Sequence, residues 1–235
     1  MAAYYEDSSL FPMEGGCSCG LIRYQVTKAP IVVHCCHCTS CQRESGAAFA
    51  INAIVESTCL KQLSPGQPIV PAGGQGTVPP APAFPILAHP PHGGDLPDDD
   101  LPLRYALIDR PDDAPAPKRV TLPTQSGRGQ SVARCPSCGV CVWSHYGGAG
   151  GYFAFVKVGT LDEAWRVNPD VHIYTRSKRP FVTLDDGAKQ YEAFYAHWNE
   201  VYRPESIERW EKVWAEVQAY RVAAAERFER QKQQG

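Results

Sequence analysis

The chain has 235 residues, 43% of them hydrophobic, and a formal net charge of −2. That length supports one sizeable core or two small ones, and the charge balance excludes an electrostatic grip on nucleic acid, which needs clustered Lys and Arg. No stretch approaches the roughly 20 apolar residues that span a bilayer, and the acidic start MAAYYEDSSLFPMEGG lacks the basic and apolar regions of a targeting signal, so the sequence predicts a soluble intracellular protein of the cytoplasm, with no membrane and no nucleic-acid partner.

In chain order, residues 14 to 58 come first. Within GGCSCGLIRYQV, Ile22, Tyr24 and Val26 alternate with polar residues, the period of a half-buried strand. AAFAINAIV, after the cysteine-rich HCCHCTSC, predicts a second strand. Residues 60 to 127 differ: they hold 15 of the 21 prolines. Such composition predicts loop or extended backbone rather than core. The stretch reads as an insertion into a single domain spanning 14–200, either a lid over a site or a tolerated surface excursion. LRYALID, residues 103 to 109, is its only strand-like piece. His89 and His92 lack a third ligand and make a weak metal signal. From 128 to 182, ARCPSCGVCVW predicts a zinc-ribbon-like turn, and YFAFVKVGTLD and VHIYT predict strands. Residues 201–235 form a helical extension. Ile207, Trp210, Trp214, Val217 and Phe228 recur at three- and four-residue steps, and Pro204 suits a first turn. Such a stripe packs on its own domain or on a partner subunit, which leaves a homodimer open.

Ten cysteines in a reducing compartment point to metal or catalysis. Cys17 and Cys19 form C-x-C; Cys36, Cys38 and Cys41 form C-x-C-x-x-C; Cys135 and Cys138 form C-x-x-C. Cysteines this close converge on one ion more readily than they pair as disulfides. If Cys17 and Cys19 meet Cys135 and Cys138 at one zinc, they staple the two halves of the domain across the insertion. The remaining triplet leaves a fourth position open, as catalytic zinc requires. Spacing leaves alternatives standing: Cys35 could close the triplet, Cys138 could pair with Cys141, and His34 or His37 could ligate. Cys59 reads as a small buried apolar residue.

The ordered set GGCSCGLIRY, CHCTSCQRESGAAF, RCPSCGVCVW, VGTLD and HIYTRSKRPF resembles the glutathione-dependent formaldehyde-activating enzyme family, which also holds centromere protein V. The resemblance covers residues 14 to 58 and 128 to 182. It implies a mainly β fold, a zinc-stapled β-tent of antiparallel sheets, here with a Pro-rich insertion and a C-terminal amphipathic helix. It implies two zinc ions per chain, one structural at Cys17, Cys19, Cys135 and Cys138, one catalytic at Cys36, Cys38 and Cys41. The implied activity is addition of glutathione to formaldehyde, formally a carbon–sulfur lyase reaction in reverse, with glutathione or another thiol as the small-molecule partner. The new alkoxide needs an acid. His172 is the first candidate and Tyr174 the second, against the plainer role of a packed strand histidine. Arg43 and Lys178 could meet a substrate carboxylate. Two other readings stand beside this one: zinc as Lewis acid in a lyase, hydrolase or dehydratase of fungal-type specialised metabolism acting on a larger carbonyl compound, and a non-catalytic zinc scaffold that binds a protein.

Overall fold

Strand alternation assigns each residue of the central sheet to one of two faces, and two separate apolar clusters follow from it. The computed structural model describes residues 3–66, 107–125 and 129–234. Among them are eleven strands: β1 (Met13–Gly16), β2 (Arg23–Val26), β3 (Val32–Cys36), β4 (Ala50–Glu56), β5 (Leu60–Leu63), β6 (Lys118–Leu122), β7 (Gln130–Arg134), β8 (Cys141–Tyr146), β9 (Phe153–Lys157), β10 (Val171–Ile173) and β11 (Lys189–Gln190). Two α-helices accompany them, α1 (Thr39–Ser45) and α2 (Pro204–Gln234). The fold is mainly β, as expected. No helix among the described residues is long and apolar enough to cross a membrane.

Strands β1, β2 and β5 form a small sheet, and the other eight form a large one in the order β11-β10-β3-β4-β9-β8-β7-β6. The large sheet takes strands from both sides of the Pro-rich stretch. On one face, Val33, Ala53, Val55, Trp143, Ala154 and Val156 pack with Tyr24, Val26 and Leu60 of the small sheet. The Tyr24 and Trp143 rings meet edge-on across that core, 5.8 Å apart. On the other face, the alternate residues Val32, Cys36, Ile54, Phe153, Val171 and Ile173 pack under α2 through Trp210, Trp214 and the fully buried Val217. The molecule is thus layered: small sheet, large sheet, helix.

Helix α2 starts at Pro204, where the missing N–H costs nothing. Arg209 ties it to β4: its guanidinium donates to Glu56 at 2.7 and 2.5 Å and to the Ala29 carbonyl at 2.8 Å. Further along, a Cβ on Gly150 would lie 2.9 Å from the Tyr220 ring, and Gly150 has φ +56. Only glycine permits that backbone and that approach.

Three expectations need revision or lie out of reach. The sheets are not wholly antiparallel, because β10 runs parallel to both β3 and β11; strands of two or three residues carry no sequence sign of direction. The stretch from 60 to 127 is not wholly loop. It begins with β5 and contains β6, which forms a sheet edge against β7, and Lys61 bridges to Asp109. Residues 67–106, with His89, His92 and most of LRYALID, lie outside the described residues, as does the Phe228 side chain.

Candidate metal centres and pocket

Cys17 and Cys135 each open a tight turn of the same build. Cys17 N–H donates to Ile22 O at 2.9 Å and Gly20 N–H to Cys17 O at 3.0 Å; Cys135 N–H donates to Val140 O at 2.9 Å and Gly139 N–H to Cys135 O at 3.0 Å. Gly20 and Gly139 supply φ of 76° and 75°. Backbone N–H groups then point at sulfur, from Ile22 to Cys17 at 3.2 Å and from Cys138 to Cys135 at 3.5 Å. The sulfurs of Cys17 and Cys19 lie 3.5 Å apart, those of Cys19 and Cys135 3.6 Å, and all four sulfurs fall within 4.8 Å of one another. A tetrahedral zinc with bonds near 2.3 Å sets sulfurs about 3.8 Å apart, so the four fit a closed site. Against the penalty of burial, hydrogen bonds from the Leu21 backbone and the neighbouring thiols lower Cys19 to about 7.

Cys36, Cys38 and Cys41 also converge within 4.8 Å, all buried. Cys36 ends β3, Cys38 caps α1, and Cys41 lies in its first turn, its N–H donating to the Cys38 sulfur at 3.3 Å. Helix α1 is held on both sides. The Gln42 amide donates to the carbonyls of His37 at 2.7 Å and Ser177 at 2.9 Å. The Glu44 carboxylate, its side chain 3% exposed, accepts from Lys157 at 2.7 Å and Arg134 at 3.3 Å. Thiol donation from Cys36 and Cys41 holds Cys38 well below the usual thiol range, while Cys36 is pushed up. One thiolate backed by two thiols, with a buried ammonium nearby, is a donor set suited to a soft cation. It has three donors, one fewer than a closed tetrahedron.

Cys36 and Cys38 line a cavity of about 550 Å³ between the large sheet and α2. Its wall is largely aromatic: Tyr146, Phe153 and Phe155 from the sheet, Tyr195 and Trp198 from the segment before α2, and Trp210 and Trp214 from α2 itself. Trp198, Trp210 and Trp214 form a ladder with centroid spacings of 5.0 and 4.8 Å. Two phenols sit within the field of the triplet. Burial first, then negative charge on the neighbouring sulfur triplet, raises both Tyr146 and Tyr174, so each keeps its proton at neutral pH. Tyr174 has φ 58° and is the only non-glycine with positive φ among the described residues, a strained conformation of the kind that clusters at functional sites.

The expected four-cysteine and three-cysteine groups therefore come together as groups. Cys141 stays outside the first and Cys35 outside the second. His172 does not reach the triplet. It pairs with Cys35 across the parallel ladder, whereas Ile173 pairs with Cys36, and neighbours on a strand point to opposite faces. Ile173 and Tyr174 line the cavity; His172, the first candidate for the acid, does not. His172 instead gathers with Cys35 and His37, a third group within 4.8 Å. Sequence spacing could not show this, because the contact depends on the register of β10. His34 does face the cavity, donating to or accepting from Tyr195 Oη at 2.9 Å. Arg43 opens on a separate groove beside Arg179, and the Lys178 amine donates to Val182 O at 2.5 Å. Cys59 is buried, as expected.

The sequence model of the family described as glutathione-dependent formaldehyde-activating enzyme matches residues 12–72 and 113–177. All seven cysteines of the two sulfur-only groups fall inside those segments, and α2 with the Trp198 ladder falls outside. No curated protein matches the chain.

Proposed function

The chain belongs to the glutathione-dependent formaldehyde-activating enzyme family, and on that premise we propose that it is a zinc-dependent enzyme of carbon–sulfur lyase type, joining a thiol to a carbonyl compound or releasing it from the adduct. The observation that carries this reading is the convergence of three buried sulfurs, two of which, Cys36 and Cys38, line a cavity. Zinc held by Cys36, Cys38 and Cys41 would keep a coordinating thiol deprotonated at neutral pH and polarise a carbonyl oxygen. Forming the C–S bond turns the carbonyl into an alkoxide that needs a proton. Tyr174 holds one in the field of the sulfurs, and Tyr146 lines the same cavity and feels the same field. In the reverse direction the same phenolate takes the proton back as the C–S bond breaks. The aromatic wall excludes water from the adduct.

The cavity also bears on the substrate. A volume of about 550 Å³ lies in the range that holds drug-sized molecules, far beyond formaldehyde. Among the described lining residues the one cation is Arg221, against two carboxylates in glutathione. These features support a bulky, largely apolar carbonyl partner, and they favour a second reading in which zinc serves mainly as Lewis acid on such a compound. A non-catalytic scaffold would need a fourth protein donor at the triplet, and Cys35, the nearest in sequence, stands with His37 and His172.

The test pairs metal content with turnover. Cys38→Ala should lower the zinc count by one and abolish exchange between free and adduct aldehyde, followed by carbon-13 exchange spectroscopy with thiol–aldehyde pairs from formaldehyde to aryl aldehydes. Faster exchange with aryl aldehydes supports the larger substrate. An unchanged zinc count in the variant, or no exchange with any pair in the wild type, sinks the proposal.

A further inference from the structure

We infer that Cys35, His37 and His172 form a third metal centre, a Cys-His-His site for a zinc-class ion on the face of β3 opposite the cavity. The inference is independent of the proposed reaction. The register of β10 on β3 sets His172 directly beside Cys35, and His37 follows one residue after the strand. Its backbone is fixed from both sides: its N–H donates to Ile173 O at 3.0 Å, and its carbonyl accepts from Gln42 and from the Ser177 hydroxyl at 2.7 and 3.0 Å. The ring therefore has little freedom. His37 Nε2 lies 3.0 Å from His172 Nδ1 and 3.6 Å from the Cys35 sulfur. Zinc bonds of about 2.0–2.1 Å to nitrogen and about 2.3 Å to sulfur, at tetrahedral angles, place the two nitrogens about 3.4 Å apart and sulfur about 3.6 Å from nitrogen. The sulfur already stands at that spacing from His37 Nε2, the three donor atoms all lie within 4.8 Å of one another, and the two ring nitrogens need to part by a few tenths of an ångström.

Asp186 supplies the second reason. Its carboxylate accepts from His172 Nε2 at 2.9 Å. A carboxylate at neutral pH accepts only, so the proton sits on Nε2 and the bare lone pair of Nδ1 faces the group. Carboxylate–histidine pairs of this kind orient and strengthen metal-ligating imidazoles. All three donors are buried, at 2, 0 and 4% exposure. One thiolate with two imidazoles suits zinc, or copper(I) among softer ions. The edge it would bind is narrow. Strand β10 meets β3 over three residue pairs, and an ion there would lock that edge behind the strand end where the cavity triplet begins.

The experiment counts zinc by native mass spectrometry after dialysis of the full chain against zinc, with zinc K-edge absorption for ligand type. We expect three ions per wild-type chain and a nitrogen component in the first shell. Cys35→Ala and His172→Gln should each hold two, with the nitrogen component reduced or lost and the sulfur-only sites intact. Two ions in the wild type with sulfur alone, or a third ion that persists in both variants, overturns the inference. Asp186→Asn leaves every donor in place at a side chain 42% exposed, and so guards against misfolding. It should weaken one of three sites by about 10- to 100-fold in competition with a chromogenic chelator; three unchanged affinities overturn the inference as well.

Discussion

His34 shows how burial alone fixes a charge state in this protein. Its ring is 3% exposed, and burial lowers its pKa to about 3. In the unfolded chain an imidazole takes up a proton below about 6.5. The folded state refuses it until about 3, so the stability this ring contributes is present in full above 6.5 and is lost as pH falls from there. The slope is about 1.4 kcal/mol per pH unit for one such group. Urea midpoints measured at pH 7.5 and pH 5 should therefore fall further apart in the wild type than in His34→Gln; equal gaps would remove His34 from the account. Tyr174 makes a second prediction at this scale. Removing its hydroxyl in Tyr174→Phe should slow adduct formation by about 10²- to 10⁴-fold and leave zinc content unchanged. A rate within twofold of wild type would pass the proton-donor role to Tyr146. The residues of this site were unequally legible. The sulfur triplet could be read because its members lie within six positions. His172 was singled out, but its surroundings depend on Cys35 and His37, 135 or more positions away along the chain, and no spacing rule reaches that far.

Helix α2 was legible as a helix from its tryptophan spacing and from Pro204, yet its task was not. Periodicity says that one face is covered; it does not say that the cover is a ladder of rings over a cavity. Beside its apolar packing, the helix is tied to the sheet by Arg209, whose side chain is 23% exposed against 10% for Glu56. Removing one partner of a largely buried pair leaves the other charge stranded. Arg209→Ala should lower unfolding free energy by about 2–4 kcal/mol, read from urea titration, and should move the emission of Trp210 and Trp214 toward the solvent-exposed maximum. An unaltered emission maximum would mean that the helix is held by its rings alone. Trp214→Ala tests the other side of the same element. It should raise KM for a bulky aldehyde more than for formaldehyde, because only the larger molecule reaches the ladder.

At the scale of the whole molecule, the four-cysteine group joins the start of the chain, next to the small sheet, to the β7–β8 turn of the large one. The two sheets share a core, but the small sheet has only three strands to hold it. Structural zinc contributes folding free energy outright. Cys135→Ser should therefore lose the near-ultraviolet circular dichroism of Trp143, which is fully buried between the sheets, before it loses the far-ultraviolet signal of the larger sheet. Simultaneous loss of both would make the two sheets one cooperative unit. The β class and the strands around Tyr24, Ala53, Phe155 and His172 were legible from alternation and β-branched content. The other strands were not: β1 and β5 lie at the borders of glycine- or proline-rich sequence, β6 lies within the latter, β3, β7 and β8 carry or flank the cysteine motifs, and β11 is two residues long, so pairing partners overrode composition there. One strand sets a limit of another kind. β3 presents Cys35 to one face and Cys36 to the other, and a shift of one residue would exchange every side chain between faces. One residue gained or lost within β3 would exchange the faces of Cys35 and Cys36 and break up both groups, so β3 can neither gain nor lose one. It is a ruler whose length is inherited whole, and divergence in its relatives should appear as substitution along it, never as insertion or deletion.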